Sequence, residues 1–171
     1  MILREFADSD AEKIVSWTGS EREFRLWCAD RYENYPIDAT DMTAMYAECG
    51  KTGAFFPMTA VEEDIIGHLI LRYTDEKHET VRFGFVIVDN AVRGSGKGRK
   101  MLELAKEYAV KVLNARKLTL GVFDVNTAAI SCYKAAGFTE TGSDAAVFEV
   151  LDESWKCLEL ECIIKEAALQ L

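Results

Sequence analysis

Histidine and proline are scarce in this chain, with only two of each among 171 residues. So few prolines exclude a proline-rich linker or low-complexity segment. The five cysteines (Cys28, Cys49, Cys132, Cys157 and Cys162) are irregularly spaced, form no C-x-x-C pair and have only His68 and His78 as histidine company. The ligand spacing of a zinc site is therefore lacking, and no metal is expected. An odd cysteine count also excludes a fully paired disulfide framework and suits free thiols in a reducing cytoplasm. No apolar run approaches the ~20 residues of a membrane span. The opening stretch, Met1 to Asp10, is too charged for a signal peptide. Positive charge is in short supply as well: 20 Lys and Arg against 29 Asp and Glu leave a net −9. Such a surface repels nucleic acid and anionic membranes; it either favours cationic partners or serves only solubility. Neither nucleic acid nor membrane is an expected partner.

What is present suits one globular domain, expected over residues 1–171. Hydrophobic residues make up 49% of the chain, and at this length a core can bury roughly 70% of the unfolded surface. Residues 2–6 read as a first strand. Asp8 or Ser9 can cap a helix carrying Ile14, Val15 and Trp17. Two further helical stretches, 21–28 and 41–47, are separated by Tyr35-Pro36, because the residue before proline disfavours helix. Thr40 or Asp41 is the expected cap of the second. From Ala54 the apolar period changes to two, giving strands at 55–61, 65–73 and 79–88. The last of these ends in a continuously apolar run, as in a strand covered on both faces. A helix over about 98–114 follows, with Met101, Leu102, Ala105, Tyr108, Ala109 and Val112 on one stripe. Then come a strand (118–125), a helix (127–136) ended by Gly137, and two closing strands, 138–141 continuing toward Phe148 and 156–164. This order predicts a mixed α/β sheet, part meander and part crossover.

Between the third strand of the meander and the long helix lies Asp89-Asn90-Ala91-Val92-Arg93-Gly94-Ser95-Gly96-Lys97-Gly98-Arg99. Three alternating glycines at a helix start can aim several backbone N–H groups at one point, and the helix terminus adds partial positive charge; phosphate suits such a place. Arg93, Lys97, Arg99 and Lys100 cluster here in an otherwise acidic protein. A Walker A loop is excluded, since Lys97 is followed by Gly98 and Ala91 stands where the first glycine belongs. A dinucleotide fingerprint starting at Gly94 fails because Arg99 occupies its last glycine position. What fits is R-x-x-G-x-G from Arg93 to Gly98, set against the alternative of an ordinary glycine turn.

This pattern resembles motif A of the GNAT superfamily of N-acetyltransferases, which binds the pyrophosphate of CoA. Downstream, residues 120–138 resemble its motif B: a strand, Asn126 at its end, a helix bearing Tyr133 seven residues on, and Gly137-Phe138. Two motifs in the family's order, followed by two strands, identify the chain as resembling that superfamily over about residues 81–138. The implied fold is α/β, a central twisted, mostly antiparallel sheet flanked by helices.

The resemblance implies acetyl-CoA as cosubstrate and direct attack by a primary amine in a ternary complex, with no enzyme nucleophile. Cofactor contacts are implied for Val86, Ile87, Val88, Arg93, Gly94, Ser95, Gly96, Lys97, Gly98, Arg99, Asn126 and Tyr133. A strand-end backbone N–H in 86–88 would polarise the thioester carbonyl, and Tyr133 would protonate the leaving thiolate. Cys132 reads as a packing residue. The base stays open: Glu79 lies near a strand start, Gly121 stands where some relatives carry a Glu, Asp124 is the only carboxylate on that strand, and a water chain is the alternative. The acceptor is expected at the segment between the first two strands, with Trp27, Asp30, Arg31, Tyr32 and Tyr35 as candidates. Aromatics with carboxylates suit a cationic amine; Arg31 would instead suit a carboxylate on the acceptor; a purely structural helix connection is the third reading. The resemblance also implies a homodimer, since dimers are common in the superfamily. A GNAT-fold acyl-CoA-binding or regulatory module without turnover is the alternative to an enzyme.

Overall fold

The computed structural model describes residues 1–143 and 145–164. Alternation along the strands separates two apolar faces, and each face is covered by helices. The elements are β1 (Ile2–Glu5), α1 (Ala11–Val15), α2 (Glu21–Cys28), α3 (Ala39–Gly50), β2 (Phe55–Val61), β3 (Ile65–Tyr73), β4 (Thr80–Val88), α4 (Lys97–Lys111), β5 (Lys117–Phe123), α5 (Thr127–Ala135), β6 (Thr139–Glu140), β7 (Ala146–Val150) and β8 (Glu153–Ile163). The sheet runs β1-β2-β3-β4-β5-β8-β6, with β7 also paired to β8. Every pairing is antiparallel except β4 with β5, which the crossover through α4 makes parallel. The mixed α/β, mostly antiparallel fold is the one expected.

Strand β3 shows how the faces divide. Leu69 and Leu71 join a core containing Met101, Leu102, Ala105 and Ala109 of α4, whereas Ile70 between them joins Ile14, Phe24, Met42 and Tyr46 of the N-terminal helices. Period-two alternation thus feeds two helical layers, and each fully buried leucine contributes about 1.5–3 kcal/mol. His68 also faces the N-terminal layer, with Nε2 2.7 Å from the Tyr46 hydroxyl. Burial pulls its pKa down to about 3, so it is neutral at physiological pH.

Several boundaries differ from expectation for local reasons. Asp8 and Ser9 open a short 3₁₀ turn rather than cap a helix, because Asp10 is drawn inward by Arg4 (2.7 and 2.8 Å) and Thr59 (2.8 Å). Trp17 lies beyond the end of α1. Helix α3 is capped by Asp38, not Thr40 or Asp41: its carboxylate accepts from the N–H groups of Thr40 and Asp41, and Asp41 reaches back to the Asp38 N–H. That reciprocal box starts the helix two residues earlier than residue 41, and the helix runs on to Gly50. Strand β5 stops at Phe123 because the chain turns there, the Asn126 N–H bonding to the Phe123 carbonyl at 2.9 Å. The stretch expected as one strand toward Phe148 is two, β6 and β7, and Asp144 between them lies outside the described residues, as does the tail 165–171 of the expected domain.

Candidate active site

The site begins where β4 and β5 part. Their parallel pairing covers only Thr80–Phe83 against Lys117–Leu120, yet β4 runs on to Val88 and β5 to Phe123. Beyond Phe83 the β5-facing backbone groups of β4 have no strand partner. On its other edge β4 carries an extra residue relative to β3, the register shifting between His68–Ile87 and Ile70–Gly84. Phe85 sits at that bulge with φ +48°, in the left-handed region. The Trp27 indole N–H donates to the Phe85 carbonyl at 2.9 Å and ties α2 to the bulge. Bulges re-aim strands beside functional sites, and here the divergence opens two cavities of about 600 and 620 Å³ that share Leu26, Trp27, Val86, Asn126 and Tyr133 as walls. Both volumes lie in the range of small-molecule sites.

The first cavity takes in the glycine turn. Of the residues the resemblance implied, Val86, Ile87, Val88, Arg93, Gly94, Gly96, Gly98, Arg99, Asn126 and Tyr133 line it. Gly94 and Gly96 have φ of +74° and +80°, and beyond each the position a Cβ would take is open space. Gly96 is the N-cap of α4, and among the described residues no side chain bonds the helix's first N–H groups; the first turn holds Lys97, Arg99 and Lys100 and no acid. Uncapped N–H groups and basic side chains together make an anion cradle. Two expected residues do not line it. The Ser95 hydroxyl donates to the Val92 carbonyl, and the Lys97 ammonium pairs with Glu62 at 2.6 and 2.7 Å. Arg93 lines the cavity with its guanidinium turned toward Glu23 (3.2 Å) and the Trp17 carbonyl (3.4 Å). Asn126 lines the cavity and caps α5, its Oδ1 accepting from the Ala129 N–H at 3.3 Å, and among the described residues its amide nitrogen has no hydrogen-bond partner. Gly98 lets α4 approach α5: a Cβ there would lie 3.5 Å from the Cys132 Sγ. Burial pushes the Cys132 thiol's pKa up, which fits a packing residue rather than a nucleophile. Burial also raises the Tyr133 phenol well above its ordinary range, so it holds its proton at neutral pH.

The second cavity also has Tyr133 in its wall. Of the expected acceptor residues, Trp27, Asp30 and Arg31 line it. Tyr32 and Tyr35 do not. Tyr32 is buried against Trp27 and Phe85, and Tyr35 packs on Phe24 with ring centres 5.2 Å apart. Arg25 holds that loop by donating to the carbonyls of Tyr32 (2.6 Å) and Glu33 (3.2 Å). These aromatics are the core of the helical layer, not a cage for a cation. The candidate bases Glu79 and Asp124 line neither cavity: Glu79 pairs with Arg116, and Asp124 accepts from the Lys156 N–H.

Three ionic residues here escaped the sequence reading: Arg72, Arg82 and Glu159. Arg82 grips Glu159 with two bonds of 2.6 and 2.8 Å. Glu159 stands directly opposite Gly121 in the β5–β8 register, and a Cβ on Gly121 would lie 2.7 Å from the Arg82 Nη2 and 2.9 Å from the Cys157 Sγ. A carboxylate thus stands beside position 121 on the neighbouring strand, and glycine makes room for its ion pair with Arg82. The period-two pattern of β8 marks Glu159 and Cys157 as one face, but only the register brings that face to Arg82.

Residues 20–138 match the family described as the acetyltransferase (GNAT) family. Among solved structures, the chain is similar to spermidine N-acetyltransferase from Vibrio cholerae in complex with CoA and spermine (TM-score 0.79, 20% identity, 94% of each chain covered). It is also similar to ribosomal-protein-S5-alanine acetyltransferase from Vibrio fischeri (TM-score 0.75, 16% identity, 96% of this chain and 93% of that one). A third match is ribosomal-protein-alanine N-acetyltransferase from Brucella melitensis (TM-score 0.75, 20% identity, 96% of this chain and 100% of that one). At these identities the likeness is one of fold.

Proposed function

The chain belongs to the GNAT acetyltransferase family, and from that premise we propose that it transfers the acetyl group of acetyl-CoA to a primary amine across Tyr133. The observation that carries this reading is the pair of cavities meeting at Tyr133, one built as an anion cradle and the other lined by ionic side chains. Acetyl-CoA supplies an acetyl thioester. The backbone N–H groups of residues 94–98 and the start of α4 receive its pyrophosphate. Arg93 and Lys97 turn to it from Glu23 and Glu62; those pairs are partly exposed and worth about 1 kcal/mol or less, so the exchange costs little. Unpaired N–H groups of β4 between Val86 and Val88 polarise the carbonyl, and the free amide of Asn126 orients the arm of the ligand. Tyr133 Oη holds the proton that the departing thiolate needs.

The amine comes from the second cavity. An alkyl amine with a pKa near ~10 must lose a proton before it can attack. Asp30 is the carboxylate along that cavity left to take it, directly or through water, since Arg82 holds both oxygens of Glu159. The five unpaired cysteines fit a reducing cytoplasm, where we assign the protein as a single domain over residues 1–171. The test is thiol release from acetyl-CoA against a panel of amines, with product mass as a second readout. Amine-dependent release in step with acetylated product is the expected result. Failure of acetyl-CoA to bind in a calorimetric titration, or release independent of any amine, would overturn the proposal.

A further inference from the structure

We propose that the acceptor amine carries a carboxylate, as a free amino acid does, and that Arg72 with Arg31 receives it; this rests on the transferase reading above. The ionic residues lining the second cavity are Asp30, Arg31, Arg72, Arg82 and Glu159. Three guanidinium groups thus face two carboxylates inside a protein of net −9. Arg82 is engaged by Glu159 on both nitrogens. Among the described residues, the Arg72 and Arg31 side chains make no ion pair or hydrogen bond, and Asp30 pairs with neither.

Arg72 is held where its charge is unfavourable. It is half-buried on β3 and stands directly opposite Arg82 in the β3–β4 register. Like charges at directly opposed strand positions repel. Burial, then Arg82, then Arg31 all push the Arg72 pKa below its usual value. Cys49 and Glu159 push the other way, and the Glu159 oxygens are taken by Arg82. An arrangement that keeps a guanidinium unpaired beside two others is stabilised by a bound anion. Arginine's planar fork matches a carboxylate with two parallel bonds. A polyamine would bring further positive charge to the same wall.

The test compares twenty free amino acids with their carboxamides and with spermidine, in wild type, Arg72→Gln and Arg72→Lys. Turnover is read by thiol release. Binding is read separately, as thermal stabilisation of the CoA complex by N-acetyl amino acids against their amides. Expected is turnover and stabilisation by one or more acids, with the matching amides weaker. Arg72→Gln should raise KM for the acid about 30-fold or more and that for the amide far less, erasing the preference. Arg72→Lys should recover only part of it, because it restores charge without the fork. Spermidine or amides used as well as acids, an acid preference that survives in Arg72→Gln, or acetyl-CoA binding with no response in the acid arm would each overturn the inference. Loss of acetyl-CoA binding itself would instead sink the transferase reading on which it stands.

Discussion

The two cavities share five wall residues but are built in opposite ways. The one at the glycine turn is built on backbone: Gly94, Gly96 and Gly98 stand in a single six-residue stretch, and Arg93, Lys97 and Arg99 beside it pair with Glu23, Glu62 and Glu103. The other works through side chains brought from three strands, with Arg72 on β3, Arg82 on β4 and Glu159 on β8. The difference teaches that one molecule can set a cavity built on conformationally demanding backbone beside one built on side chains that substitute freely. Each half should therefore be breakable alone.

The largest effect is expected where the halves meet. Tyr133→Phe removes a hydroxyl from a ring packed on Phe138, so the fold should survive. A general acid is worth about 10²–10⁴ in rate, and kcat should fall by that range with acetyl-CoA affinity little changed. A wild-type kcat with chemistry rate-limiting would make Tyr133 a packing residue; a large loss of affinity would make it a binding residue.

Next comes the backbone half. Gly96→Asp places a carboxylate at the N-cap of α4. Aspartate caps helices well, which offsets part of the cost of φ +80°, but its charge sits against the pyrophosphate. Affinity for acetyl-CoA should fall on the order of 10²-fold, while circular dichroism and melting report a folded protein.

The side-chain half should respond to Gly121→Ala. The new methyl group meets Arg82 and Cys157 at under 3 Å, so the Arg82–Glu159 pair must shift. Overpacking of this kind costs about 1–3 kcal/mol in stability, and the acceptor KM should rise roughly tenfold. An unchanged KM would remove Glu159 and Arg82 from the acceptor site.

The smallest effect lies outside both cavities. His68 has a pKa of about 3 in the fold against 6.5 when exposed, so only the unfolded chain takes up its proton between those values. Its contribution is fully present above pH 6.5 and is lost as pH falls. Relative to His68→Gln, which keeps a partner for Tyr46, wild-type stability should drop by about 1.4 kcal/mol more per pH unit between pH 6 and 4. Denaturant titrations across that range check it, and parallel slopes would contradict it.

The same contrast explains what the sequence made readable. Backbone recognition of phosphate demands glycine at fixed spacing before a helix, so the turn at 93–98 and the Asn126–Tyr133 spacing show in the chain itself. The acceptor half leaves no such mark: Arg82 and Glu159 meet across 77 residues, through a strand register that no local pattern encodes. Tyr32 and Tyr35 misled for a related reason. Aromatics beside charges look alike whether they line a cavity or fill a core, and the guanidinium of Arg25 decides the matter by holding the carbonyls of Tyr32 and Glu33. At α3, several acceptable caps stood in a row, and Asp38 won because its carboxylate and that of Asp41 satisfy each other's N–H groups.

The division of labour is tested most directly by one calorimetric experiment, acetyl-CoA titrated into Gly96→Asp and Gly121→Ala side by side. The two-half account predicts a Kd raised on the order of 10²-fold in the first and unchanged within about twofold in the second. Equal affinities in the two variants, or the larger loss in Gly121→Ala, would contradict it.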